Sequence, residues 1–346
     1  MDSKRLLDAP TGRRLCGSCA LVPGFGPVRT RWRSAGEHSQ DIRLLDELEV
    51  AVTSGNYLRL LETGDEGRLI RELARLPLET PVSCGPLYRA AETALLLPVA
   101  QAILDAPATQ WWKSSIDAQK QTLIRLAGVD HGQCAPLSVA GKELQAGISH
   151  EVNRGLDRRT HTRSSYQAWT SAPPTSWRST RFVPGRPPLP SLDLIWTWEA
   201  DGPVLADYWQ LDVSANARMY EVGDEAAWVA LVDRYPRNVS ESRRGAWRNE
   251  VSSRNGDLVL PNWRGVQDDF DGVHLTTMAF LELLGVPLTT RYGTTMIDFW
   301  TPDSTVWLND VVTVQGQPKQ WDEMRDWKSD YRDLILSDDG TLDVQG

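Results

Sequence analysis

Cysteine is scarce in this chain of 346 residues: the four, at 16, 19, 84 and 134, are too few and too scattered for a disulfide framework, which fits a reducing compartment. Cys16-Gly-Ser-Cys19 has CxxC spacing. A structural zinc, however, needs a second ligand pair, and a redox motif needs a thioredoxin-like strand before it. With neither evident, the two read as buried thiols. Histidine is nearly as sparse, and the five at 38, 131, 150, 161 and 274 include no pair at helical ligand spacing, which argues against a histidine-rich metal site. Long apolar runs are missing too. The longest, 94–104, contains Pro98 and Gln101 and is too short to span a bilayer. Asp8, Pro10, Arg13 and Arg14 interrupt the N-terminal apolar residues before a signal-peptide core forms, so the expectation is a cytoplasmic protein with no membrane association. An excess of positive charge is lacking: 37 basic against 46 acidic residues leave a net charge of −9, which argues against a coat for nucleic acid. Also absent are a phosphate-binding P-loop, a dinucleotide Gly-x-Gly-x-x-Gly, a His-Glu-x-x-His and a Gly-x-Ser-x-Gly elbow.

What is there describes a folded chain, since 41% hydrophobic and 24% charged residues are ordinary for a globular protein and the length suggests two domains. In 41–76, Ile42, Leu44, Leu45, Leu48 and Val50, then Leu58, Leu60 and Leu61, then Leu69, Ile70 and Leu73 recur three and four apart, the amphipathic-helix period, with breaks at Ser54-Gly55 and Thr63-Gly64. Further helices are expected over 89–105, broken near Pro98, over 108–127, with Trp111-Trp112 early in it, and over 139–155. A basic run follows, Arg154, Arg158, Arg159, His161 and Arg163, which reads either as a solvated helix end or as a polyanion or dinucleotide contact. Beyond it, prolines crowd 166–198 and the apolar pattern shortens to that of strands; 12 of the 15 tryptophans lie after residue 165. Strands are expected at 166–171, 179–183, 192–198, 204–211, 217–222 and 304–310. Helices are expected at 224–234, capped by Asp224, over 277–284, and around 321–336. The resulting fold class is α+β: a helical domain (1–150), a basic connector (151–165), a mixed β-rich, tryptophan-rich domain (166–312) and an acidic C-terminal segment (313–346).

Two stretches organise the second half, 259–276 and 297–310, both read as strands with turn-rich approaches. Strand alternation sends Val273 and Leu275 to one face and His274 and Thr276 to the other, and sets Val306 and Leu308 against Trp307. A lone histidine in a strand is commonly a hydrogen-bonded structural residue. The functional reading of His274 rests on Asp268, Asp269 and Asp271 just before it, which are also good loop and cap residues. Glu221, between Tyr220 and Val222, is either merely exposed or an acid of the site. Thr170 and Ser171, with Arg181, read as loop polarity or as a phosphate or ribose cradle.

The order of these segments resembles a family of uncharacterised actinobacterial proteins. The resemblance runs through Trp169-Thr170-Ser171-Ala172-Pro173, Ser179-Thr180-Arg181, Ala217-Arg218-Met219-Tyr220-Glu221-Val222, Tyr235-Pro236, Pro261-Asn262-Trp263, Phe270-Asp271-Gly272-Val273-His274-Leu275-Thr276 and Trp300-Thr301-Pro302-Asp303-Ser304-Thr305-Val306-Trp307-Leu308. Pro10-Thr11-Gly12-Arg13-Arg14-Leu15-Cys16 and the Trp111-Trp112 segment extend it over most of the chain. It implies a shared fold and no particular reaction. The β-rich half is also similar in rhythm to mono-ADP-ribosyltransferases, with a polar first strand, a Tyr-Glu-Val-type strand and a late strand ending the site. It departs from them in having no Ser-Thr-Ser strand and no Gln/Glu-x-Glu near its end, so that Asp303, Asp298 or Glu221 would have to be the acid. The similarity implies NAD as the cofactor consumed, transfer of ADP-ribose to a macromolecular target, and Glu221 as the acid. It further implies that Thr170, Ser171 and Arg181 bind NAD, that His274 bonds to the ribose and that Trp307 stacks on nicotinamide. Two other readings stay open: a non-catalytic protein that binds partners through exposed tryptophans and arginines, and a hydrolase acting through His274 and a neighbouring aspartate.

Overall fold

The computed structural model describes residues 3–21, 37–62, 87–126, 140–156, 170–175, 177–181, 205–243, 247, 256–298 and 300–322. Pro10 opens a helix where its missing N–H costs nothing, so a short α1 (Ser3–Asp8) turns directly into α2 (Pro10–Leu21). Arg13 ties the corner by donating through Nη1 to the carbonyls of Leu7 (2.6 Å) and Asp8 (2.8 Å). Gly12 makes the corner possible, because a Cβ there would lie 2.0 Å from the Leu6 carbonyl oxygen. Then come α3 (Glu37–Ser54) and α4 (Asn56–Glu62), separated at Gly55, whose φ of 67° suits glycine. Helix α5 (Arg89–Asp105) runs unbroken through Pro98, against the expected break, and buries Leu96, Val99, Ala100, Ile103 and Leu104. Packing of that apolar face outweighs the lost hydrogen bond at a single proline. The thiols of Cys16 and Cys19 are buried and not joined in a disulfide, and burial pushes the Cys16 pKa up, away from reactive thiolate.

The segment expected as one helix over 108–127 is instead a 3-10 helix, Pro107–Lys113, followed by a strand, β1 (Gln121–Leu126). Apolar residues at 116, 123, 124 and 126 fit a helical period, but here pairing on both sides decides the conformation. β1 is bonded antiparallel to β2 (Arg178–Arg181) on one side and to β3 (Leu205–Val213) on the other. After β1 comes α6 (Ala140–Leu156), the connector helix expected there.

β4 (Met219–Val222) leads into α7 (Glu225–Arg234), whose first turn is capped by the Asp224 carboxylate accepting from the Ala227 N–H at 2.8 Å. β5 (Pro236–Asn238) and α8 (Ser240–Arg243) follow. The first organising stretch is β6 (Val259–Pro261), α9 (Trp263–Asp269) and β7 (Gly272–Leu275), with α10 (Thr277–Leu283) after it. β8 (Leu288–Thr290) and β9 (Gly293–Thr295) form a hairpin; β10 (Ser304–Trp307) and β11 (Val312–Asp322) are the last elements among the described residues. Trp321 and Asp322 end β11 rather than opening a helix. Residues 170 and 171 are irregular rather than strand; the strand expected at 192–198 and the remainder of 321–336 lie outside the described residues.

Seven strands form one sheet in the order β11-β3-β1-β2-β10-β7-β4, with every pair antiparallel except β4 and β7. On one face Val222, Val273, Leu275 and Val306 join a core that runs without a break from the first helices to α10. Arg5 pairs with Glu282 at 2.9 Å, and the Thr11 hydroxyl meets the Leu284 carbonyl at 3.4 Å, so α1 and α2 pack directly on the β-rich half. Trp228, Trp263 and Trp300 lie centroid to centroid at 6.0–6.4 Å within that core. Leu123, Trp177, Trp209, Leu211, Trp307 and Val312 form a smaller cluster on the opposite face. The protein is therefore α+β, helical at its N-terminal end and sheet-rich after it. No helix among the described residues is long and apolar enough to cross a membrane.

Candidate functional site

The face that carries the smaller cluster also carries the polar residues. Registers across the sheet match Glu221 to His274, His274 to Thr305, Thr305 to Ser179 and Arg181 to Gln121. Residues in register share a face, so Glu221, His274, Thr305 and Ser179 form a row, with Arg181 and Trp307 two residues along their strands. Three of the buried polar groups form a chain: the Trp307 indole N–H donates to the Ser179 hydroxyl at 2.8 Å, that hydroxyl donates to Gln121 Oε1 at 2.8 Å, and Gln121 Nε2 donates to the Asp117 carbonyl at 3.0 Å.

His274 is 1% exposed. Its Nδ1 lies 3.1 Å from the Thr305 hydroxyl, and its Nε2 lies 3.8 Å from Asp303 Oδ1, too far for a hydrogen bond. Burial pulls its pKa down to about 4; the Glu221 charge opposes that shift and the Arg181 charge reinforces it, so the ring is neutral near pH 7. Asp303 is also buried and sits at φ 48°, a left-handed conformation that aspartate tolerates better than most residues. Its carboxylate accepts the Arg181 backbone N–H at 3.3 Å and Arg181 Nη2 at 3.4 Å. Burial pushes the Asp303 pKa up, and the Arg181 guanidinium works against that. Arg181 itself, its side chain 20% exposed, has its guanidinium carbon 5.0 Å from the centre of the Trp111 ring.

Glu221 meets water at the rim of the row. Its two carboxylate oxygens are held by the segment that precedes β1: Oε1 accepts from the Ser115 hydroxyl at 3.0 Å and Oε2 from the Ile116 N–H at 3.0 Å. One stretch, from the 3-10 helix to the turn before β1, thus lays Trp111 on Arg181 and clasps Glu221. This part of the site was not legible in the sequence, because Ser115 and Ile116 lay in an expected helix and far from Glu221 along the chain.

Of the expected residues, Glu221, His274 and Arg181 come together. Thr170 and Ser171 do not join them. The Thr170 hydroxyl accepts from the Ala172 N–H at 3.1 Å, and the residue lines a cavity of about 10 Å³ with Gly147, Arg237 and Trp263, at the lower limit for one water. Ser171 is bonded through main chain and hydroxyl to Asp298. Trp307 is 0% exposed with its indole N–H committed to Ser179, so neither ring face is open for a nicotinamide to stack on. His274 lies behind the rim rather than at it, so it does not reach a bound ribose as arranged. A surface of exposed tryptophans is not what the described residues form either: Trp112, Trp177, Trp209, Trp228, Trp247, Trp263, Trp300 and Trp307 are buried, because indole burial supplies much of the apolar area of both cores. Asp268, Asp269 and Asp271 serve the loop before β7. Asp271 binds Arg218 and Asn309, and Asp269 binds Arg234 and the Tyr235 hydroxyl. No group of metal-ligating residues is found among the described residues. Compared with protein-family profiles, curated proteins and solved structures, the chain matches none.

Proposed function

We propose that the chain is an enzyme of the ADP-ribosyltransferase type, consuming NAD and passing ADP-ribose to a macromolecular acceptor at the rim formed by Glu221. The observation that carries this reading is the Glu221 carboxylate, partly open to water and oriented at both oxygens by Ser115 and Ile116. When the bond between ribose C1′ and the nicotinamide nitrogen breaks, positive charge develops at C1′ while nicotinamide leaves neutral. A carboxylate already fixed where that charge appears stabilises it without reorganising. Arg181, its guanidinium carbon 5.0 Å from the Trp111 ring centre, supplies a planar cation suited to a phosphate of the donor. Asp303 fixes the strand end that carries this arginine, and His274 stands next to Glu221 in register.

Calorimetric titration with NAD, joined to an assay of nicotinamide release, tests the reading. Wild-type protein is expected to bind saturably and release nicotinamide, whereas Glu221→Gln keeps binding and loses roughly 100-fold or more of the release rate, the scale of removing one preorganised electrostatic group. Absence of both heat and release at millimolar NAD overturns it.

A further inference from the structure

Resting on that reading, we infer that the chain carries its own acceptor: Ser115 is the hydroxyl to which ADP-ribose is transferred. Ser115 is exposed, and its Oγ donates to Glu221 Oε1 at 3.0 Å. A hydroxyl hydrogen-bonded to a carboxylate has the arrangement of a nucleophile and its base. Carboxylates are weak bases, insufficient to activate serine against an unreactive carbon, but a ribosyl cation is electrophilic enough to be captured by a hydroxyl with only that assistance. Glu221 is thereby adjacent to both the developing cation and the group that ends it.

The placement is rigid on both sides. Upstream, the Ser114 N–H closes the 3-10 helix on the Trp111 carbonyl at 2.8 Å. Downstream, Lys120 N–H meets the Asp117 carbonyl at 3.0 Å, and Gln119 N–H meets Asp117 Oδ1 at 3.2 Å. Ser115 is presented by a pinned segment, so little entropy is lost in bringing it to the reacting carbon. Stability gives no equal reason for the contact, since a hydrogen bond between two water-exposed groups contributes little to folding.

The step balances. Ser115 Oγ forms a bond to C1′ as the bond from C1′ to the nicotinamide nitrogen breaks. Nicotinamide leaves with the electron pair of that bond, the Oγ proton passes to Glu221 and then to water, and the product is an O-glycosidic ADP-ribosyl group on Ser115.

The experiment incubates the full-length protein with NAD labelled in its adenosine half, maps the label by peptide mass spectrometry and follows nicotinamide in the same reactions. Label is expected on Ser115 and saturates at one per chain. It is lost at least tenfold in Ser115→Ala, kept in Ser115→Thr, which retains a hydroxyl, and kept in Ser114→Ala. Nicotinamide release with label elsewhere, or with label undiminished in Ser115→Ala, overturns the acceptor while leaving the transferase reading in place. No nicotinamide release by the wild-type protein overturns both.

Discussion

The two faces of the central sheet are built from the same strands and do opposite work. On one, Val222, Val273, Leu275 and Val306 disappear into a core shared with the helices on either side in sequence. On the other, the alternate residues Glu221, His274 and Thr305 stand beside Arg181, Asp303 and the Ser179–Gln121 chain. The contrast shows how one period-2 pattern separates stability from chemistry: moving one residue along a strand crosses from apolar packing to a network in which each buried polar group depends on its neighbour. It also accounts for the histidine. His274 is held neutral because it is surrounded on all sides by that network and by packed side chains, and Glu221 alone of the matched pair reaches water.

Breaking the apolar face should have the largest effect. Trp300→Ala removes an indole that is 1% exposed and leaves Trp228 and Trp263 without their partner, and should cost about 3–5 kcal/mol in chemical denaturation. The polar face should instead reveal itself through pH. The folded-state pKa of His274, about 4, lies below its ordinary value of 6.5, so the unfolded chain binds the proton more readily; stability is full above about pH 6.5 and falls by about 3 kcal/mol as pH drops to about 4. Asp303 acts in the opposite direction, since its raised pKa means that acid favours the folded state. Denaturation midpoints at intervals of pH should therefore decline less steeply in His274→Gln than in the parent, and an unchanged decline would assign the acid sensitivity elsewhere. A smaller effect tests the junction of the two faces: Thr276, which follows β7, caps α10 by accepting the Ala279 N–H at 3.1 Å, and Thr276→Ala should lose about 1 kcal/mol.

Local signals read along the chain were reliable where one element decides its own structure. The Asp224 cap with Ala227, Trp228, Leu231 and Val232 specifies α7, the Ser54-Gly55 pair separates α3 from α4, and alternation at 273–276 assigns the faces of β7. They misled where a neighbour distant in sequence decides. Leu123 and Ile124 satisfy a helical period, yet the strand forms because β2 and β3 are waiting on both sides. Pro98 reads as a break, yet the buried face of α5 carries the helix through it. The tryptophans read as a possible surface because composition says nothing about which side of a sheet an indole meets.

The α+β class, helices α3, α4, α7 and α10 and the separation of apolar from polar strand faces were legible along the chain, because propensity, capping and periodicity act within a few residues. Long-range contacts alone hold the segment before β1 against Glu221, bring the Arg181 guanidinium carbon to 5.0 Å from the Trp111 ring centre, and seal Trp307 and His274 inside. Those outcomes depend on hydrogen bonds between residues about a hundred positions apart, whose partners are chosen by strand order and register, and no local pattern encodes that choice.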